Sequence, residues 1–357
     1  MASKKSDFLR NKIEPFTVEA GAPAEEILRK MERISFQGRN LAIAHQVWKK
    51  ILADNVLIFL GAAGALSAGG LRFLIAHLIE FRYIDCLVST GANLYHDLHE
   101  TRGHHHFLGS PEIDDGLLQT EHIDRVYDTF VDEDEFIEND EWIGAFAQTL
   151  DSRAHTSREF LYLLGRQLWN ETGRNGILTS AYRSNVPIFC PAIADSSIGM
   201  GLSQARQHNA DHGYLDVIGD IAESANLVIE RRPTASIVLG GGTPKNFINQ
   251  ASVQAEFYSP GGEGHRYAVQ IVTDVPQFGG ASGSSLAEAK SWGKLSIDGD
   301  HVTVNADVTL ALPLLVSALA ASGAPLLKAR RPPKFALAGR AISLDGRLLP
   351  LDRYISR

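Results

Sequence analysis

Residues 55–91 read NVLIFLGAAGALSAGGLRFLIAHLIEFRYIDCLVSTG. NVLIFLG is an apolar run of strand length. It enters a glycine-rich turn, Gly61 to Gly70, which leads into the helix-length stretch LRFLIAHLIEF and then a second strand-like run, IDCLVSTG. Strand, turn, helix, strand in this order predicts a βαβ unit, and therefore a parallel sheet. Both strands are continuously apolar rather than alternating, the pattern expected where a sheet is buried on both faces.

The same alternation returns further along. NVPIFCPAIAD, ASIVLGGG, RYAVQIVTD and HVTVNAD read as strands. SREFLYLLGRQLW, SIGMGLSQAR, YLDVIGDIAESANLVIE, PKNFINQASVQAEF and VTLALPLLVSALA read as helices. Upstream, amphipathic helices are expected around Ala24 to Met31 and Leu41 to Leu52. Residues 101–150 break the pattern with a histidine run, Gly/Pro turns and the acidic VDEDEFIENDEW. They read as an insertion packed on the sheet edge, ending in a helix near Trp142 to Leu150. The tail FALAGRAISLDGRLLPL predicts a hairpin turning at Asp345-Gly346. The expected architecture is thus α/β: a Rossmann-like doubly wound, mostly parallel sheet with an N-terminal helical arm and an edge insertion. The arm covers residues 1–50, the central domain 51–322 with its insertion at about 101–150, and a C-terminal extension 323–357.

Composition narrows the function. The 357 residues are 44% hydrophobic, enough for a large core, and carry a net charge of -8. No Lys/Arg-rich run marks a nucleic-acid partner, and an acidic chain suits a cationic substrate. The two cysteines, Cys86 and Cys190, sit in runs that read as buried strands, which excludes a disulfide framework and points to a reducing compartment, the cytoplasm. The N-terminal MASKKSDFLRNKIEPF lacks the apolar stretch of a signal peptide. Residues 308–327 carry no charge, but Pro313 and Gly323-Ala324-Pro325 interrupt them, so a buried helix is expected rather than a membrane span.

Small or acidic residues close each strand: Gly61, Ser89-Thr90-Gly91, Ala194-Asp195, Gly240-Gly241-Gly242, Thr273-Asp274 and Ala306-Asp307. Ligands of open parallel sheets bind beyond those ends, where glycines admit close backbone approach and helix N-termini offer free N–H groups. The Gly61 to Gly70 turn does not spell G-x-G-x-x-G, so its glycines serve tight turns as readily as a dinucleotide. Asp195 and Asp307 suit ribose hydroxyls or helix N-caps equally. Lys294 follows Trp292 and Gly293 at an element end expected near the crevice, a setting that can supply the neutral amine an imine-forming nucleophile needs. By itself, composition favours a solvated lysine at a helix end, and Glu288 reads as a surface helix glutamate. His104-His105-His106 has no Cys or acidic partner at ligand spacing and reads as a polar loop, so no metal is expected. Asp132 to Glu141 holds seven acids and reads as a solvated face.

With SWGK at this spacing from a GGG turn, the sequence resembles the deoxyhypusine synthase family over roughly residues 35–322. The resemblance runs through VLIFLGAAGALSAGGLR, DCLVSTGANLYHDL, HIDRVYDTFVDEDEFIENDEWI, VPIFCPAIADSSIG, IVLGGGTPKNFI, RYAVQIVTD, EAKSWGK and VTVNADVTLALPLLVSAL. It implies NAD bound at the strand ends by Thr90, Gly91, Asp195, Gly241, Gly242, Ala306 and Asp307. It implies catalysis by Lys294, with Glu288 and Trp292 beside it: a polyamine such as spermidine is oxidised, its aminobutyl group passes to the lysine as an imine, and an acceptor amine then displaces it. It also implies a homotetramer with active sites at a subunit interface.

The chain departs from the family where acids hold the polyamine. One such glutamate falls at Tyr95-His96, an aspartate at Met200, and a loop acid near Ala281. The family's histidine after the GGG turn falls at Asn246 and a nearby asparagine at Gln250. His96, Met200, Asn246 and Gln250 are therefore the substrate-side candidates, and a small amine acceptor with a homospermidine-type product is expected. The alternatives are modification of a lysine on a translation factor, a catalytically inactive NAD-binding homologue, and a plain NAD dehydrogenase, which would not need Lys294.

Overall fold

The computed structural model describes residues 5–208, 213–280, 282 and 284–349. Its centre is a six-stranded sheet: β1 (Leu57–Ala62), β2 (Cys86–Ser89), β3 (Ile188–Phe189), β4 (Thr234–Leu239), β5 (His265–Val272) and β6 (Leu295–Asn305). The strands lie in the order β6-β5-β4-β1-β2-β3, and every neighbouring pair is parallel. The α/β, mostly parallel architecture expected from the βαβ order is the one the chain forms.

The period of two along each strand divides the core. Ile58, Leu60, Leu87 and Ile237 join one buried cluster with Trp48, Ile75, Leu94, Leu164 and Leu315, from helices on that side. Leu57, Phe59, Cys86 and Val88 join a second cluster with Leu227, Phe247, Ile248 and Ala251. Both faces are therefore covered. The chain moves outward from β1 to β3, then returns to place β4 on the other side of β1. This reversal opens a crevice between the C-terminal ends of β1 and β4.

Helices Ala24–Met31 and Phe36–Ala53 contribute Leu28, Trp48, Ile51 and Leu52 to the first cluster. The uncharged stretch forms a helix, Val308–Ser322, that runs through Pro313, and a separate helix, Ala324–Ala329, starts after Gly323. No described helix is long and apolar enough to cross a membrane.

Residues 101–150 differ from expectation. The acidic stretch is not merely a solvated face but the beginning of a helix, Glu133–Ala147. Asp132 caps it, accepting from the N–H groups of Asp134 at 2.9 Å and Glu135 at 3.3 Å. Acids in the first turn also favour a helix start through the macrodipole, so the charge run carries structural information. This helix packs on Ser197–His208 rather than on the sheet edge. Before it, Phe107–Leu108, Ile123–Val126 and Thr129–Asp132 form a small antiparallel sheet.

The tail turns at Asp345 (φ 51°) and Gly346 (φ 84°), joining the paired strands Ser343–Leu344 and Arg347–Leu348. Two central residues with positive φ give the turn whose twist matches a hairpin. The extension is tied to the base of the sheet by Asp85. Its carboxylate accepts from the Ile58 N–H at 2.9 Å, from Arg82 at 3.1 Å and from both terminal nitrogens of Arg330. The Asp85 and Arg330 side chains are both 0% exposed. Removing one partner of a buried pair leaves the other charge uncompensated. Asp85→Ala is therefore expected to lower unfolding stability by about 3–5 kcal/mol. Urea unfolding with an unchanged m-value checks this, and a loss below about 1 kcal/mol, the scale of a surface pair, would contradict it.

Candidate active site

The crevice beyond β1 and β4 has a volume of about 280 Å³ and is lined by Ala63, Gly64, Gly240, Gly241, Asp274, Ala306 and Asp307, among others. Gly240 (φ 80°) and Gly242 (φ 59°) occupy the left-handed region that favours glycine. Gly241 stands at the N-cap of the helix Gly242–Tyr258 without any side-chain cap, which leaves backbone N–H groups at the helix start open to a ligand.

A similar start lies beside it. Thr90 precedes the helix Gly91–Arg102, again with no side-chain cap bond, and its hydroxyl is buried with no hydrogen-bond partner among the described residues. A Cβ on Gly91 would fall 2.2 Å from Ser196 Oγ, so glycine here lets the Asp195–Ser196 turn close on the end of β2. Asp195 is exposed on that turn. Asp307 caps the helix Val308–Ser322, accepting from the Thr309 N–H and hydroxyl, each at 2.6 Å. Those bonds, the hydroxyl's first, hold its carboxyl below the usual range. Two uncapped helix starts, a glycine backbone and an orphaned hydroxyl are features that suit a phosphate-bearing ligand such as a dinucleotide.

Lys294, Glu288 and Trp292 form a separate group. Ser285 and Glu288 make a reciprocal capping box at the start of helix Leu286–Ser291. Glu288 takes the Ser285 N–H at 2.6 Å, and this bond, with that from the Ser285 hydroxyl, lowers its carboxyl. Lys294 Nζ lies 5.0 Å from the centre of the Trp292 ring, and Trp292 itself is 67% exposed.

The position of Lys294 corrects an expectation. β6 begins at Leu295, earlier than HVTVNAD suggested, and the Lys294 carbonyl accepts from the N–H of His265 at the start of β5. Lys294 therefore leaves the N-terminal end of the sheet, with most of β5, about 23 Å at 3.3 Å per residue, between its backbone and the crevice end. Among the described residues, Trp292 lines a different cavity from the crevice.

A residue not singled out from sequence connects them. Lys245 lies one turn into the helix that starts at the GGG turn. It is 0% exposed, and its ammonium donates to the Ser284 carbonyl at 2.6 Å. Burial, then the positive charge of Lys294, push it down to about 8, against the opposing pull of Glu288. The signal was present: Lys245 stands at position i of the buried stripe continued by Ile248, Asn249 and Ser252.

The substrate-side candidates are scattered. His96 is buried, with its Nδ1 2.8 Å from His106 Nε2, and burial first, then His106, push it down to about 4. Met200 is 57% exposed. Asn246 is half-buried and Gln250 exposed on the helix that carries Lys245. Ala281 lies outside the described residues. The histidine run is not simply a polar loop. His106 folds back between His96 and Glu100, and His104 stacks on His99, which burial pushes down to about 3. His105 stays exposed and His104 and His106 are half-buried, so the run lies as a partly buried segment against the helix Gly91–Arg102. Among the described residues, no group of His, Cys, Asp or Glu is arranged to hold a metal.

The family model described as deoxyhypusine synthase matches residues 26–319. The chain is 46% identical over 290 residues to a protein of Archaeoglobus fulgidus named "Probable deoxyhypusine synthase 2", covering 81% of this chain and 95% of that one. It is 37% identical to a Coxiella burnetii "Deoxyhypusine synthase-like protein", covering 89% and 91%. A crystal structure of a candidate deoxyhypusine synthase from Entamoeba histolytica has the same fold, with a TM-score of 0.58 at 20% identity over 87% of this chain and 97% of that one.

Lys245 yields a pH-dependent test. Its folded pKa lies below the ordinary 10.5, so burial costs stability below about pH 8, and that cost fades as pH rises towards 10.5. Lys245→Met should therefore gain stability relative to wild type at pH 7, and this advantage should shrink between pH 8 and 10. Thermal melts across that range check it, and a pH-independent difference would contradict it.

Proposed function

Because the chain belongs to the deoxyhypusine synthase family, we propose that it is an NAD-dependent transferase that moves an aminoalkyl group from a polyamine to a small amine through an imine on Lys294. The observation that carries this reading is the pair of lysines: Lys294 over the Trp292 ring, and beside it the buried Lys245, which exchanges its proton near pH 8. The catalytic unit is residues 51–322, with 1–50 as an arm and 323–357 as an extension.

On this reading, Thr90, Gly91, Asp195, Gly241, Gly242, Ala306 and Asp307 hold NAD at the Rossmann-like strand ends, the site whose glycines and open helix starts suit it. NAD, when bound, supplies the hydride acceptor that turns the donor amine into an imine and the hydride that reduces the product. Neutral Lys294 adds to the donor imine carbon, the bond to the departing diamine breaks, and that diamine leaves with the proton given up by Lys294. The acceptor amine then displaces Lys294 by the reverse exchange. Lys245 suits the role of proton carrier in both exchanges, because its pKa of about 8 matches the operating pH. Trp292 covers the amine, and Glu288 sets the local charge.

The acceptor follows from the altered grip. His96, held near 4, is neutral at pH 7 and offers no negative charge to an ammonium. Met200 offers none either. A terminal ammonium bound without a carboxylate is costly, so spermidine should not sit as the resemblance alone implies. A small diamine acceptor with a homospermidine-type product fits better. The second reading, modification of a lysine on a translation factor, is favoured by the names of the relatives at 42–46% identity. Assembly into a homo-oligomer, a tetramer by the resemblance, would bring Lys294 of one copy to the crevice of another. The distance between the two groups in one chain and the exposure of Trp292, Phe257 and Ile297 support this. The two buried, unpaired thiols suit the cytoplasm.

Purified protein incubated with NAD and a panel of polyamines, with products read by mass spectrometry, tests the proposal. A new polyamine lengthened by an aminoalkyl group is expected, and Lys294→Arg should abolish it while leaving NAD binding intact. If the transferred group appeared only on a translation-factor lysine, the small-acceptor reading would fall. Near wild-type transfer by Lys294→Arg would remove the imine mechanism.

A further inference from the structure

At the N-terminal end of the sheet, away from the crevice, the C-terminal extension closes over a cleft of about 660 Å³. Arg82, Arg231, Arg330, Arg331, Lys334 and Asp345 line it. Five cations thus meet one carboxylate at the wall and a second, Asp85, buried beneath Arg330. Subtracting two from five leaves three uncompensated positive charges, in a chain whose net charge is -8. Arg82 and Arg330 share Asp85, and Arg231 pairs with Asp345 at 3.2 Å. Among the described residues no carboxylate pairs with Arg331 or Lys334, both of which are exposed.

The arginines are also held in place. Arg330, 7% exposed, donates to the carbonyls of Arg82 and Val56, and Arg82 to those of Ser184 and Pro333. The Nε of each is buried with no hydrogen-bond partner among the described residues. The held guanidiniums, Arg82 partly exposed among them, stand beside the exposed Arg331 and Lys334 and form a preorganised site for a planar or tetrahedral oxyanion. Unpaired like charges drawn together on a rigid wall repel one another, and a polyvalent anion relieves that repulsion better than a monovalent one. Arg330, Arg331, Lys334 and Asp345 all lie beyond residue 319, where the family match ends, so this cleft is built mainly by the extension and not by the catalytic fold.

We propose that this cleft binds the phosphoryl groups of a small phosphorylated ligand, at a site separate from the active-site crevice. Calorimetric titration of the full chain at constant ionic strength, with pyrophosphate, ATP and adenosine as separate ligands, tests it. Pyrophosphate and ATP should bind and adenosine should not. Similar affinities for the first two would assign recognition to the phosphoryl groups alone, and tighter ATP binding would identify a nucleotide-sized ligand. The double variant Arg331→Ala/Lys334→Ala changes exposed side chains only and should fold normally. It should weaken pyrophosphate binding at least tenfold while NAD binding is unchanged. Absence of pyrophosphate binding at millimolar concentration, or binding undiminished in the folded double variant, would overturn the proposal.

Discussion

A parallel sheet buried on both sides dictates the rest of this molecule. Successive residues of β1 alternate between two cores, Leu57 and Phe59 in one, Ile58 and Leu60 in the other. Neither face can be left to solvent, so each strand must be followed by a helix that returns along the sheet. The helix starts then gather at one end, together with the glycines and small residues that let the turns close. That end holds the crevice. The opposite end, where helices finish and strands begin, is left for Asp85, Lys294 and the C-terminal extension.

This division explains why the candidate site residues fall into two groups. The crevice offers uncapped backbone at Gly241 and Thr90 and suits an anionic ligand. The lysine group lies along the helix Gly242–Tyr258, which carries Lys245 near its start and reaches Lys294 at Ser252, whose hydroxyl donates to the Lys294 carbonyl at 3.3 Å. One helix thus links the GGG turn to the lysine pair. The burial of Lys245 is what makes the pair chemically distinctive, since a buried amine can exchange its proton near neutrality and a solvated one cannot.

Much of the fold was legible in the sequence, because continuous apolar runs punctuated by glycine leave few alternatives to βαβ units. The family was legible from SWGK and its distance from the GGG turn. The sequence patterns that misled did so for local reasons. The strand of HVTVNAD extends back without a break through the mostly polar SIDGD to Leu295, so Lys294 lies at the other end of the sheet from the one expected. Asp132 to Glu141 looked like a solvated face because acids at a helix start and acids on a surface have the same composition. The polar letters of residues 104–106 concealed a local packing that only the fold creates: His106 lies against His96 and Glu100 and His104 stacks on His99, whose burial pushes it down to about 3. Lys245 was overlooked because a lysine is rarely fully buried. Its register with Ile248 and Ser252 was the available clue.

The central claim is that Lys294 forms a covalent imine with the transferred group. Borohydride added during turnover with NAD and a polyamine donor would reduce such an imine to a stable secondary amine, and peptide mass spectrometry would locate it. An aminoalkyl adduct on the peptide containing Lys294 is expected, and it should require both NAD and donor. An adduct confined to Lys290 or Lys245, or product formed with no trapped lysine at all, would contradict it.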